Sequence, residues 1–115
     1  MTDESSVIRG VRGEGAAVVL ELGGEIDMKN FVQVRDKFKE LYRKSPRVLV
    51  VNLSAVEFMD SSGLATLVGA LKWCRQNGCE LKLVGLAKRV RSVFEICRLE
   101  SIFEIYDSES EALSE

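Results

Sequence analysis

The chain has 115 residues, 46% of them hydrophobic, with 16 basic and 18 acidic side chains for a formal charge of −2, and it contains no histidine. That is the length of one domain, able to bury roughly two thirds of its unfolded surface, and residues 1–115 are expected to form a single unit without linker or repeat. The missing imidazole removes Ser-His-Asp and Cys-His triads, His-ligated zinc and haem on a proximal histidine, and the near-balanced charge lacks the basic footprint of a nucleic-acid binder.

The opening Met1-Thr2-Asp3-Glu4-Ser5-Ser6 is polar and acidic where a secretory signal is basic and then apolar. No apolar run approaches the ~20 residues that span a bilayer, so a cytoplasmic protein without membrane insertion is expected. Ser6–Arg12 and Ala16–Leu22 read as two strands joined through Gly13-Glu14-Gly15, with Gly23-Gly24 ending the second. From Asn30, a candidate N-cap, Phe31, Val34, Phe38 and Leu41 form one stripe of a helix that stops before Pro46. Val48–Val51 is unbroken rather than alternating, which predicts a central strand covered on both faces. A second helix starts at Ser61 or Ser62, carries the core stripe Leu64, Leu67, Val68, Leu71 and Cys74, and ends at Asn77-Gly78. Leu81 and Leu83 flank Lys82 in another strand; Gly85 leads into a third helix with Val90, Val93, Phe94 and Cys97 on one face. Ile102–Tyr106 reads as a short last strand, and Ser108 as the cap of a final helical turn. The alternation predicts an α/β sandwich: a mixed central sheet with about four helices.

Several features resemble chemistry without supporting it. Gly13-Glu14-Gly15-Ala16-Ala17-Val18 begins like a dinucleotide fingerprint, but its sixth position is valine and a strand follows, so it reads as a hairpin turn. Glu25 and Asp27 sit between strand and helix, where carboxylates serve turns and caps. Cys74, Cys79 and Cys97 contain no C-x-x-C pair and are odd in number, which argues against a disulfide framework or a structural zinc; they read as small core residues or surface bystanders. No cofactor or metal site is expected.

The informative stretch runs from Val51-Asn52-Leu53 to Phe58-Met59-Asp60-Ser61-Ser62-Gly63-Leu64. Taken alone, its serines read as helix caps worth about 0.5–2 kcal/mol. On a helical wheel Ser62, Thr66, Gly69 and Trp73 share the face opposite the core stripe, a candidate docking surface. Trp73 is then either an interface anchor or a cover over a neighbouring helix or loop. Lys88, Arg89, Arg91 and Arg98 read as a solvated face.

With Gly24-Glu25-Ile26-Asp27 after a strand, the motif around Asp60-Ser61-Ser62-Gly63, Gly85 after a later strand, and Val90 and Phe94 before the last one, the chain resembles the STAS domain along nearly its whole length. Within that family it resembles the small bacterial anti-sigma-factor antagonists. The resemblance implies a regulatory protein that is not itself an enzyme. Its Ser61 would be phosphorylated by an anti-sigma factor with serine kinase activity and reset by a serine phosphatase. Asp27 and Asp60 match the acidic positions near that serine, and Ser61, Ser62 and Gly63, with Thr66, Gly69 and Trp73, would meet the partner. Asn52 departs from the pattern, since many members carry aspartate there. A second reading keeps the fold but makes it an unmodified STAS scaffold in a membrane-associated transport or signalling complex. A hydrolase with Ser61 as nucleophile lacks both a G-x-S-x-G elbow and a histidine base.

Overall fold

The computed structural model describes residues 6–114; the N-terminal residues 1–5, read above against a secretion signal, lie outside that range. In chain order the elements are β1 (Ile8–Glu14), β2 (Ala17–Ile26), α1 (Phe31–Tyr42), β3 (Val48–Met59), α2 (Ser61–Gln76), β4 (Glu80–Val84), α3 (Lys88–Ile96), a single 3-10 turn (Glu100–Ile102), β5 (Glu104–Tyr106) and α4 (Glu109–Leu113). The five strands lie in sequence order. β1 and β2 are antiparallel, and each later neighbour is parallel to the one before it. The expected mixed sheet, with β3 at its centre, is therefore present.

The two faces of β3 explain its unbroken apolar run. Leu49, Val51 and Leu53 enter the main core, where Val34, Phe38 and Leu41 of α1, Leu64, Leu67 and Leu71 of α2, and Val90 and Phe94 of α3 meet the sheet. Val50 points the other way, joining Val19 and Val84 beneath Ala112 of α4. Three helices thus cover one face and a five-residue helix closes the other. Lys82 lies on that second face. It is buried, with Nζ donating to the Ala112 carbonyl at 2.8 Å and lying 5.4 Å from the centre of the Tyr106 ring.

Several boundaries differ from the sequence reading. The hairpin turn is tighter than three residues, Glu14 pairing directly with Ala17. β2 runs through Gly23-Gly24 to Ile26, with register shifts at the glycines that let the strand bend without ending. β3 continues to Met59 through residues read as a loop. Asn30 stands at the N-cap position of α1 but makes no capping bond; its side chain instead clamps the preceding turn, accepting from the Asp27 N–H and donating to the Glu25 carbonyl. Cys97, expected on the buried face of α3, is exposed at its C-cap. Cys74 and Cys79 are buried, and their mutual hydrogen bond and burial push the Cys74 thiol well above its ordinary range.

Candidate functional site

Parallel pairing brings the two acidic positions to one edge. Ile26 and Met59 are register partners at the C-terminal ends of β2 and β3, which places the residues that follow, Asp27 and Asp60, on adjacent strand ends about 4.8 Å apart in the pairing direction. The Asp60 N–H donates to the Ile26 carbonyl at 3.1 Å, fastening the start of α2 to β2. Asp27 is occupied in its own turn: its Oδ1 accepts from the Lys29 N–H at 2.9 Å and its carbonyl from the Asn30 and Phe31 N–H groups.

The cap of α2 is Asp60, not a serine. Its extended backbone turns the chain into the helix, and Oδ1 accepts from the N–H groups of Ser62 at 2.8 Å and Gly63 at 3.3 Å. Ser61 is consequently released from capping. It is exposed as the first residue of α2, and its hydroxyl has no hydrogen-bond partner among the described residues. Gly63 faces inward: a Cβ there would lie 2.7 Å from Met59 Cγ and 2.9 Å from Ile26 Cγ2, so its bare backbone lets the helix sit on the strand ends. Gly85, at φ +73, follows β4 in a conformation that disfavours side chains.

The expected outward stripe of α2 faces α1. Ser62, Thr66 and Gly69 form one wall of a groove of about 510 Å³ whose other wall carries Phe31, Phe38 and Tyr42. The Thr66 hydroxyl is turned back to donate to the Ser62 carbonyl at 3.0 Å. Trp73 is half-buried and stacked on Tyr42, with ring centres 4.2 Å apart and planes 7° from parallel. Burial pushes the Tyr42 hydroxyl up to about 12. Two apolar side chains near the acidic pair are exposed: Met28, next to Asp27 and not singled out in the sequence, and Phe58, two residues before Asp60 in the informative stretch. The signal for Met28 is its position, an apolar residue immediately after Asp27. Lys88, Arg89 and Arg98 are exposed, as a solvated face requires, and Arg91 is partly covered.

A second polar cluster sits on the opposite face. Asn52 donates to Glu109 Oε2 at 2.6 Å, and Arg12 donates to Glu109 Oε1 and, at 2.7 Å, to Glu21. The Asn52 bond, followed by Arg12, holds the Glu109 carboxyl below the usual range against the opposing effect of burial. This cluster ties the start of α4 to three strands.

No group of three or more potential metal ligands occurs among the described residues, and no helix there is long and apolar enough to cross a membrane. The fold and the Asp60-Ser61-Ser62-Gly63 corner together define a small α/β domain whose second helix starts at the ends of two parallel strands. Residues 9–112 match the STAS domain, and the chain belongs to that family. It is 40% identical over 90 residues to the anti-sigma-B factor antagonist of Listeria monocytogenes, covering 78% of this chain and 79% of that one. The Staphylococcus aureus protein of the same name is 33% identical over 86 residues, 75% and 80% of the two chains. The crystal structure of an anti-sigma factor antagonist from Mycobacterium paratuberculosis superimposes with a TM-score of 0.86 at 25% identity, covering 99% and 97%.

Proposed function

We propose that this chain is an anti-sigma factor antagonist working as a phosphorylation-controlled partner switch. Unmodified, it binds an anti-sigma factor that is also a serine kinase and so frees the sigma factor. Phosphorylated on Ser61, it dissociates, and a serine phosphatase restores it. The chain is the substrate of this cycle; the phosphoryl-transfer machinery belongs to the partner.

The observation that carries the proposal is the release of Ser61 from capping. A kinase needs a hydroxyl that is exposed and not engaged in holding the fold, and Asp60 supplies the cap that Ser61 would otherwise provide. The 40% identity to an anti-sigma-B factor antagonist supports the same reading. Asp27, Asp60, Ser62 and Gly63 surround the modified position, and Thr66, Gly69 and Trp73 extend the contact along α2.

The test is phosphopeptide mapping after incubation with ATP and the serine kinase that binds the unmodified chain. One phosphate on Ser61 is expected, with binding weakened at least ~100-fold, equivalent to about 2.8 kcal/mol, and the thermal melt retained. Label on Ser62 or Ser54, label persisting in Ser61→Ala, or a phosphoprotein that binds equally well refutes it.

A further inference from the structure

The groove between α1 and α2 has walls of unlike character. Its α1 wall is aromatic, from Phe31, Phe38 and Tyr42, and its facing wall is the small-residue side of α2. Arg35 and Lys39 stand on the α1 side, one turn apart and both exposed. Arg35 reaches only the adjacent Asp36, Nε to Oδ1 at 3.5 Å, and Lys39 makes no ion pair among the described residues. The groove therefore offers apolar surface beside two exposed cations, of which Lys39 makes no close ion pair among the described residues.

Gly69 is the telling position. It is exposed at mid-helix, and a Cβ built there meets nothing within 4 Å. Glycine disfavours a helix interior relative to alanine, and no packing in this chain asks for it. Its effect is to keep the groove open along α2. At its other end the wall is Ser62, the residue after Ser61, so the groove is continuous with the surface a kinase must cover.

We infer that the α1–α2 groove receives a segment of the anti-sigma partner that presents an apolar side chain flanked by carboxylates. The apolar group lies over Phe31, Phe38 and Tyr42, in the space left by Gly69, and the carboxylates meet Lys39 and Arg35. This rests on the reading of the chain as an anti-sigma factor antagonist and adds the chemistry of the partner's contact. It also gives the binding a salt dependence, because the Lys39 and Arg35 contacts are exposed.

The test is calorimetric titration of the purified kinase that labels Ser61 into the wild-type chain and four variants, alongside thermal melts. Gly69→Leu fills the groove without meeting the core, so its melt should not fall while its affinity drops at least tenfold. Lys39→Glu should weaken binding at least tenfold and flatten its salt dependence. Lys44→Glu, the same charge change beyond the C-terminal end of α1, should stay within twofold. Ser61→Asp serves as the reference for the switch. If Gly69→Leu and Lys39→Glu bind like wild type while Ser61→Asp is weakened, the groove inference falls and the switch reading stands. If the wild type binds the kinase no better than Ser61→Asp, the switch reading falls, and the groove inference falls with it. If Gly69→Leu instead abolishes self-association of the chain and leaves kinase binding intact, the occupant is a second copy and the inference is overturned.

Discussion

Asn52 departs from the aspartate that the resemblance to STAS domains implies at this place, and placing aspartate there is an informative perturbation. In this chain the Asn52 amide donates to Glu109 Oε2 at 2.6 Å while its own oxygen accepts from the Ser54 N–H at 2.9 Å. Asn52→Asp preserves the acceptor and removes the donor. A hydrogen bond to a charged group is worth about 1.5–3 kcal/mol. Two carboxylates ~4 Å apart at an effective dielectric of ~20 repel by about 4 kcal/mol, a penalty that the pair limits by taking up a proton and that Arg12 reduces further. A loss of about 2–3 kcal/mol at pH 7 follows, confined to the docking of α4. The pH dependence has a definite sign. In the wild type the Glu109 carboxyl is held below its unfolded value of about 4.3, so its contribution is present above that value and lost as the pH falls through the folded pKa. In the variant the paired carboxylates bind a proton more readily folded than unfolded, so its deficit against wild type shrinks from pH 7 to pH 5. Urea unfolding of both proteins at the two pH values measures this. A deficit below ~0.5 kcal/mol at pH 7, or one that grows on acidification, would falsify the assignment of Asn52 as the partner of Glu109.

Two further outcomes test the corner and the aromatic row. Gly63→Ala places a methyl group against Met59 and Ile26 and should lower stability by about 1–3 kcal/mol through overpacking; an unchanged urea midpoint would show that α2 does not need a bare backbone there. Trp73, covered on one side by Tyr42, should be partly quenched by iodide in the free chain, more strongly in Tyr42→Ala, and less in the complex with the kinase. Equal quenching in free and bound states removes it from the interface.

What the sequence made legible was set by periodicity. Val48–Val51 announced a strand buried on both faces, and Leu64, Leu67 and Leu71 the inner side of α2, because burial imposes those repeats directly. Less legible was everything decided between neighbours in space. Asp60, Ser61 and Ser62 are all good N-caps by type, and what makes Asp60 the cap is its place directly after the register pair Ile26 and Met59. Asn30 has a capping residue's chemistry, but the strand end at Glu25 and Asp27 offered its amide a better pair of partners. Ser62, Thr66 and Gly69 share one wall of the groove and Trp73 stacks on Tyr42, yet a helical wheel holds no neighbouring helix and so cannot show that α1 lies across from them. Cys97 fell on the inner face of an ideal helix, but α3 ends before it.

The cap also decides how a phosphate on Ser61 acts. A helix N-terminus ordinarily favours an anion by about 0.3–1 kcal/mol through its free N–H groups and dipole. Here the N–H groups of Ser62 and Gly63 are already bonded to the Asp60 carboxylate, and that of Leu64 to the Asp60 carbonyl. A phosphate carrying about −1.5 to −2 charges therefore meets a negative neighbour where it would have met donors. At ~4 Å in water such a pair of unit charges repels by about 1 kcal/mol, so the free protein loses about 1–2 kcal/mol in all. Domains of this kind have about 5–15 kcal/mol in hand, and the native state survives. In the proposed complex the same charge would be removed from water, where an unpaired ion is penalised by several kcal/mol, with Asp60 and Asp27 still near it. On the proposed switch Asp60 would therefore do two things with one carboxylate: it leaves the Ser61 hydroxyl free of capping, and it would deny a phosphate there the helix donors that could settle it into the bound state.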